Sequence, residues 1–239
     1  VPALILAGGL GTRLRAAVPR TPKVLAPIRG RPFLAYLLDQ LAEASLRRVL
    51  MLTGHQADAV ETTFGGRCGP LRLEYAREPS PLGTGGAVRQ AIERIEDQLI
   101  LLLNGDSYCQ ADLKAFHAFH RRSRADLSMV MVRVDDAGRY GQVRCAPGGK
   151  IVGFEEKTAS TQPGWINAGI YLIQRHLVTA LPLGQPSSLE RDWLPRWTQS
   201  RNVMGFASPG PFLDIGTPEA YAAAEVFFAS SARRLVKRQ

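Results

Sequence analysis

The residues of this chain best equipped for chemistry fall on short glycine-containing turns, each placed directly after an apolar run. The first is LAGGLGTRL, Leu6 to Leu14, which follows Val1-Pro2-Ala3-Leu4-Ile5 and carries Ala7, Gly8, Gly9, Gly11, Thr12 and Arg13. A strand that runs into such a turn presents backbone N–H groups with no side chains in the way, and a nest of this kind binds anionic oxygens, phosphate above all. Two familiar phosphate loops are excluded. A Walker loop ends in Gly-Lys-Ser/Thr, but Gly11 is followed by Thr12-Arg13. A dinucleotide fingerprint starting at Gly9 needs glycine where Leu14 stands. What remains is a glycine turn, the guanidinium of Arg13 and, in TPKVLAPI, the ammonium of Lys23. A bidentate fork and a point charge together suit a polyphosphate. A surface turn with two solvated cations has the same composition.

Two acids stand on comparable turns. Asp106 comes just after Leu99-Ile100-Leu101-Leu102-Leu103 and Asn104, at the carboxyl end of a strand, which is the edge where open α/β sheets bind ligands. Asp214 follows Phe212-Leu213 and precedes Gly216-Thr217-Pro218. A pair of carboxylates on such loops could hold a hard cation, with waters and phosphate oxygens completing an octahedron, and Mg²⁺ is the natural candidate. Each acid also has a plainer use, Asp106 as a turn residue bonded to a backbone N–H and Asp214 as a cap for the helix that starts at Pro218.

The elements that must position these turns can be read from periodicity. Strands over Ala3–Ala7, Arg48–Thr53 and Leu71–Arg77 alternate with helical patterns over Arg31–Ser45 and Gln56–Phe64, the βαβαβ order of a parallel sheet. In the first helix Leu34, Leu37, Leu38, Leu41 and Ala42 make one apolar face, with Pro32 in its first turn. A helix over Gly85–Ile95, a central strand Leu99–Leu103 buried on both faces, a helix over Asp112–Arg122 and a strand Leu127–Val134 continue the series. Beyond about residue 135 the segments shorten to strands over Tyr140–Cys145, Lys150–Glu155 and Trp165–Ile173, then helices near Leu189–Gln199 and Pro218–Phe228. The expected fold is α/β, a Rossmann-like three-layer sandwich with a mostly parallel central sheet and a mixed β extension. No linker separates independent domains, so residues 1–239 form one domain with two lobes, one over about 1–110 and one over about 111–239.

Composition narrows the class. The chain has 239 residues, 45% of them hydrophobic, enough for a full core. No apolar run approaches the roughly 20 residues of a membrane span, and no basic, apolar and small-residue leader pattern opens the chain, so the cytoplasm is the expected compartment and no membrane partner is expected. Cys68, Cys109 and Cys145 lack metal-ligand spacing and read as ordinary thiols. The net charge of +9 raises nucleic acid as a partner, but the positive residues are spread along the chain and a phosphate-rich small substrate uses them equally well. A homo-oligomer is compatible with the sequence.

The opening signature with PKVLAPI resembles that of the sugar-1-phosphate nucleotidyltransferases, and five further segments fit that family in order: PLGTGGA (Pro81 to Ala87), LNGDS (Leu103 to Ser107), FEEK (Phe154 to Lys157), INAGIYL (Ile166 to Leu172) and FLDIGTPEAY (Phe212 to Tyr221). The resemblance covers nearly the whole chain. It implies transfer of a nucleoside monophosphate from an NTP to a sugar 1-phosphate, with pyrophosphate released. It also implies that Asp106 and Asp214 bind Mg²⁺, and that Leu6, Ala7, Gly8, Gly9, Gly11, Thr12, Arg13 and Asn104 line the nucleotide, Arg13 on its β and γ phosphates. Lys23 would bridge the reacting phosphates, and Gly83, Thr84 and Gly86 would flank the base. Tyr140, Gly141, Glu156, Asn167 and Gly169 would line the sugar beside Asp106, with Lys157 on its phosphate. The catalytic set is then Arg13, Lys23 and Asp106. In this chemistry the nucleophile is already an anion, so positioning and charge stabilisation do the catalysis, and no Ser-His-Asp or Cys-His pair is required.

Within the family the RPFLAYLL, LGTGGA, PGWINAGIYL and FLDIGTPEAY segments are most similar to the D-glycero-D-manno-heptose 1-phosphate guanylyltransferases, which implies GTP and a heptose 1-phosphate as substrates for surface polysaccharide assembly. Mannose-1-phosphate guanylyltransferases come next, then thymidylyl- and uridylyltransferases of glucose 1-phosphate. A sensor that binds without turnover is the non-enzymatic alternative, and the retained cations and acids argue against it. The run Glu155-Glu156-Lys157 departs from glucose-specific members by continuing into Thr158-Ala159-Ser160. Three features are set aside: His117 and His120 as two partly exposed imidazoles on a helix, Gly148-Gly149-Lys150 as a hairpin turn, and Trp193 with Trp197 as packing residues.

Overall fold

The computed structural model describes residues 1–9, 11–14, 17–19, 21–156 and 162–236, with side chains described as far as residue 229. In chain order the elements are β1 (Ala3–Leu6), β2 (Pro27–Ile28), β3 (Arg31–Pro32), α1 (Phe33–Glu43), β4 (Arg48–Thr53), α2 (Ala57–Phe64), β5 (Arg67–Cys68) and β6 (Leu71–Arg77). There follow α3 (Gly83–Ala91), β7 (Leu99–Asn104), β8 (Ser107–Cys109), α4 (Leu113–Arg122), β9 (Leu127–Val134), β10 (Gln142–Cys145), β11 (Ile151–Glu155) and β12 (Gly164–Gln174). The last are α5 (Arg175–Thr179), α6 (Leu194–Ser200), β13 (Val203–Ala207), β14 (Phe212–Asp214) and α7 (Pro218–Val236).

Side chains of the inner strands alternate between two cores. Ala3 and Ile5 of β1 and Leu101 and Leu103 of β7 enter one hydrophobic cluster with α1, whereas Leu4, Ile100 and Leu102 enter the other with α3. A strand whose two faces are both covered reads as a continuous apolar run, which is why Leu99–Leu103 lies in the middle of the sheet. The main sheet runs β11-β10-β12-β7-β1-β4-β6-β5, with β9 on β12 and β13 on β9. Strands β7, β1, β4 and β6 are mutually parallel, and beyond β7 the pairings of β12 with β7, β9 and β10 are antiparallel. The result is the expected three-layer α/β sandwich with a mixed extension.

The differences from the sequence reading have local causes. Pro32 does not enter the first helical turn: it pairs with Pro27 in the β2–β3 ribbon and stands just ahead of α1. Helix α3 starts at Gly83, before the expected Gly85, and the glycines there meet a crossing segment: a Cβ on Gly83 would lie 2.5 Å from the Ser187 carbonyl oxygen and one on Gly86 2.7 Å from that of Gln185. Pro195 falls in the first turn of α6, directly after the wide helical turn Leu189–Trp193, so one expected helix is two. Trp193 and Trp197 face each other at 6.1 Å, and Trp197 is buried in the core. Gly148 and Gly149, at φ of 85° and 86°, turn the hairpin that joins β10 to β11, as expected.

His120 is the clearest correction. It is not a partly exposed imidazole but 1% exposed, with Nδ1 2.9 Å from Ser128 Oγ and Nε2 3.3 Å from Gln174 Nε2. Burial, with a smaller contribution from His117, pushes its pKa down to about 4. In the unfolded chain an imidazole titrates near 6.5, so between pH 6.5 and 4 the unfolded state binds the proton and the folded state does not. Stability is therefore full above pH 6.5 and falls as the pH drops through that window. Urea unfolding at pH 7 and pH 5 should differ by about 2 kcal/mol from this group alone, and His120→Gln should remove most of that difference; an equal difference in the variant would assign it to other groups.

Cys68, Cys109 and Cys145 are all free thiols. No helix among the described residues is long and apolar enough to cross a membrane.

Candidate active site

The turns singled out in the sequence converge at the carboxyl ends of β1, β4 and β7. Ala7 continues the ladder by donating its N–H to the Leu52 carbonyl, and the chain then leaves the sheet over the end of β4. Gly8 has no room for a side chain: a Cβ would lie 2.7 Å from Glu78 Oε1 and 3.1 Å from the Gly54 nitrogen. Gly11, at φ 58°, backs onto Lys23 Cβ. Leu14, which excluded the dinucleotide fingerprint, is 2% exposed and anchors the loop in the core. Thr12 and Arg13 are exposed on the loop between them.

The acids meet because of a short ribbon. Strand β8 pairs antiparallel with β14, which sets Asp214 opposite Ser107, and the Ile215 N–H donates to the Asp106 carbonyl. Lys23 Nζ, whose side chain is only 10% exposed, donates to Asp106 Oδ2 at 2.6 Å. It also lies 3.3 Å from the position a Cβ on Gly216 would take, and Asp214 Oδ1 lies 2.5 Å from that same point, so Lys23 is beside both acids. Burial raises the pKa of Asp214, the Asp106 charge raises it further, and Lys23, the Gly216 N–H and Arg13 act in the opposite direction. Asp214 does not cap α7: its carboxylate accepts from Gly216 N, and the α7 N-terminus is closed by Thr217, which accepts from Ala220 N.

A cavity of about 280 Å³ opens beside this group, lined by Leu6, Gly8, Gly9, Lys23, Asn104 and Asp106 together with Glu78, Gly83 and Thr84. Eight of the residues expected to line the nucleotide or the reaction centre thus share one wall system. Gly11 and Lys23 border a second recess with Thr21, His55 and Gln56. Ala7, 4% exposed, is not on the cavity wall, and Gly86 is turned toward the Gln185 carbonyl. Asn104 lines the cavity, and its Oδ1 is buried with no hydrogen-bond partner among the described residues.

Glu78 is the residue that sequence reasoning missed. It follows β6 directly, its N–H donates to Thr53 and its Oε2 accepts from Leu82 N at 2.9 Å. Burial pushes its pKa up, and the Leu82 N–H offsets part of that. The signal available was its place: an acid immediately after a parallel strand, on the same edge as the other turns.

On the far side of Asp106, strand β12 breaks register between Asn167 and Tyr171, with Gly169 at φ 74°. The bulge brings Gly169 against Ser107 and Asn104, whose Oγ and Cβ would lie 2.8 and 3.0 Å from a Cβ there. Asn167 donates its N–H to the Gly141 carbonyl, and Gly141 is closed in by the Phe154 ring and Glu156 Oε2. Tyr140 packs edge-on against Phe212, and burial together with the Asp214 charge raises its pKa. Tyr140, Gly141, Glu156, Asn167 and Gly169 are therefore one cluster. Their glycines are required by the protein's own side chains. Lys157 lies outside the described residues.

Two carboxylates converging from opposite turns, one buried and raised by the other, are a donor set for a hard divalent cation that takes its remaining ligands from water and phosphate. Among the described residues no group of three or more His, Cys, Asp or Glu could hold a metal.

Residues 2–231 match the family described as nucleotidyl transferase. The chain is 34% identical to the D-glycero-alpha-D-manno-heptose 1-phosphate guanylyltransferase of Aneurinibacillus thermoaerophilus over 93% of this chain and 96% of that protein. It is 35% identical to a mannose-1-phosphate guanylyltransferase of Mycobacterium tuberculosis, over 92% of this chain and 62% of the other. Among solved structures, HddC from Yersinia pseudotuberculosis superposes with a TM-score of 0.85 at 33% identity, covering 95% of this chain and 99% of that one, and the same protein has been solved complexed with GMP-PN. With a match that runs over almost the whole length, and a relative of equal extent sharing a third of its residues, the chain belongs to the nucleotidyl transferase family.

Proposed function

We propose that the protein transfers GMP from GTP to a sugar 1-phosphate, D-glycero-D-manno-heptose 1-phosphate in particular, and releases pyrophosphate. One observation carries the reading: Lys23, paired with Asp106 and neighbouring Asp214, lines a cavity that the glycine loop also walls. The identity to the heptose guanylyltransferase over nearly all of both chains supports the sugar.

The nucleotide enters the cavity with its base toward Glu78, Gly83 and Thr84 and its phosphates over Gly8, Gly9, Gly11 and Thr12. The Glu78 carboxylate accepts from the N1–H and 2-amino group of guanine, a donor pair that uracil and thymine lack. Arg13 forks onto the β and γ phosphates and Lys23 turns from Asp106 toward the α phosphate. Asp106 and Asp214 would hold Mg²⁺, which when bound supplies positive charge to the reacting phosphates. Tyr140, Gly141, Glu156, Asn167 and Gly169 seat the sugar, and Lys157 meets its phosphate. That phosphate oxygen attacks the α phosphorus in line, the α–β bond breaks, and pyrophosphate leaves with its electron pair. No proton has to be removed from the nucleophile, so the chain contributes alignment and charge. The two lobes of the work are residues of about 1–110 for the nucleotide and about 111–239 for the sugar phosphate.

A matrix of NTPs against sugar 1-phosphates, scored by pyrophosphate release, tests the reading. GTP with the heptose 1-phosphate should turn over fastest, ahead of GTP with mannose 1-phosphate. Release with no pair at all would overturn the enzyme assignment. Arg13→Ala should weaken GTP binding by about tenfold or more, the worth of a charge-assisted bond to phosphate, as read by calorimetry. An unchanged dissociation constant would remove Arg13 from the phosphate site.

A further inference from the structure

A chain of hydrogen bonds runs from Thr84, on the cavity wall, to Asn167 beside Gly169, and its direction is fixed at both ends by backbone groups. At the sugar end, Gly169 N donates to Asn167 Oδ1 at 2.9 Å, which leaves the Asn167 amide NH₂ facing the Tyr171 hydroxyl at 2.5 Å. Tyr171 is 1% exposed, and with its oxygen already accepting, its proton goes to Glu190 Oε1 at 3.5 Å. At the nucleotide end, Leu189 N donates to Thr84 Oγ1 at 2.8 Å, so the Thr84 proton goes to Glu190 Oε2 at 2.6 Å. The Ser188 hydroxyl, which accepts from Arg191 N, donates to the same oxygen at 3.1 Å. Glu190 thus receives three hydroxyl protons, and no residue that can only donate could stand in its place.

We propose that Glu190 is a positioning residue that couples the two substrate sites, so that occupation of either one raises affinity for the other. This rests on the functional reading above, which assigns Thr84 to the nucleotide and Asn167 with Gly169 to the sugar. Thr84 is on the cavity wall at the start of α3, and Gly169 abuts Asn104 beside Asp106. Among the described residues each side-chain donor of the network has a single acceptor. A shift of Thr84 is therefore followed by Glu190, then by Tyr171 and Asn167, because breaking any link leaves a buried polar atom unpaired. An anchor serving only to fasten the 187–193 segment to α3 would need Thr84 and Leu189 and no link to Tyr171.

The test is calorimetric and uses the full chain. Pyrophosphate release by the unmodified protein is measured first, with GTP and either mannose 1-phosphate or the heptose 1-phosphate. The dissociation constant of α,β-methylene GTP is then measured without and with a saturating amount of whichever sugar 1-phosphate turned over. We expect the wild-type constant to fall at least about fivefold when the sugar phosphate is present. In Glu190→Gln and in Tyr171→Phe that ratio should fall below about twofold, and the double variant should lose no more than either single one. Loss of fastening alone would lower the melting temperature and leave the ratio untouched, and Tyr171→Phe keeps the shape of the core should Glu190→Gln fail to fold. A wild-type protein that releases pyrophosphate but shows no ratio, or variants that keep the full ratio, would overturn the coupling. Absence of pyrophosphate release in the wild type would overturn the functional reading, and the coupling with it.

Discussion

Replacing Asp106 by Ala should lower the rate of pyrophosphate release by at least about a hundredfold, the loss expected when a principal electrostatic stabiliser of a transition state is removed, while the protein unfolds as cooperatively as before. The first half of that expectation comes from charge placement. Asp106 holds Lys23 at 2.6 Å and, with Asp214, forms the acid pair that would hold a divalent cation. Without it a single carboxylate remains on that side of the cavity. The second half comes from burial. The Asp106 side chain is 41% exposed, so its removal opens no cavity, and Lys23 keeps Asp214 as a neighbouring acid. Asp106→Asn separates charge from shape: it should be as slow as the alanine variant although it fills the same space. Turnover within threefold of wild type in either variant would take Asp106 out of the mechanism.

How much of this was legible beforehand depends on whether the information is local. The strand before LAGGLGTRL, the central place of Leu99–Leu103 and the helix near Asp112–Arg122 follow from patterns that a short window contains. The β8–β14 ribbon does not: each strand is three residues long, below the length at which alternation can be recognised, and its partners are remote in the chain. Asp106 and Asp214 were each visible as acids on turns, but their convergence is a property of that ribbon. His120 fails for a related reason. On α4 it looks like one of two exposed imidazoles, and only Ser128 of β9 and Gln174 of β12 make its burial affordable in hydrogen bonds. The crowding at Gly141 and Gly169 is likewise invisible in a short window, since what fills the space beside them is Phe154 and Glu156 in one case and Ser107 and Asn104 in the other. Glu78 and Glu190 carry no motif at all. Their importance is set by what surrounds them, a cavity wall for one and three converging hydroxyls for the other.

Glu78→Gln should reduce kcat/KM for GTP by about a hundredfold or more while leaving turnover at saturating GTP within a few fold, because the lost contact is to the base and not to the reacting phosphates. The carboxylate has one oxygen committed to Leu82 N and the other beside Gly8, in a wall that burial makes hostile to an unpaired charge. A guanine edge brings two N–H donors to such an acceptor and relieves the desolvation that raises its pKa. A glutamine in the same place presents an amide NH₂ where one of those donors would point, and the clash of donors is worth more than the loss of a single bond. Inosine triphosphate, which keeps N1–H and lacks the 2-amino group, provides the internal control. Wild-type protein should discriminate against it, and Glu78→Gln should accept the two nucleotides nearly equally. Unfolding is expected to be little changed at neutral pH, since Glu78 has no ion pair among the described residues and its raised pKa marks a group that opposes the folded state when charged. A variant that keeps wild-type preference for GTP over inosine triphosphate would move base recognition elsewhere on the cavity wall, with Asn104 as the next residue to vary.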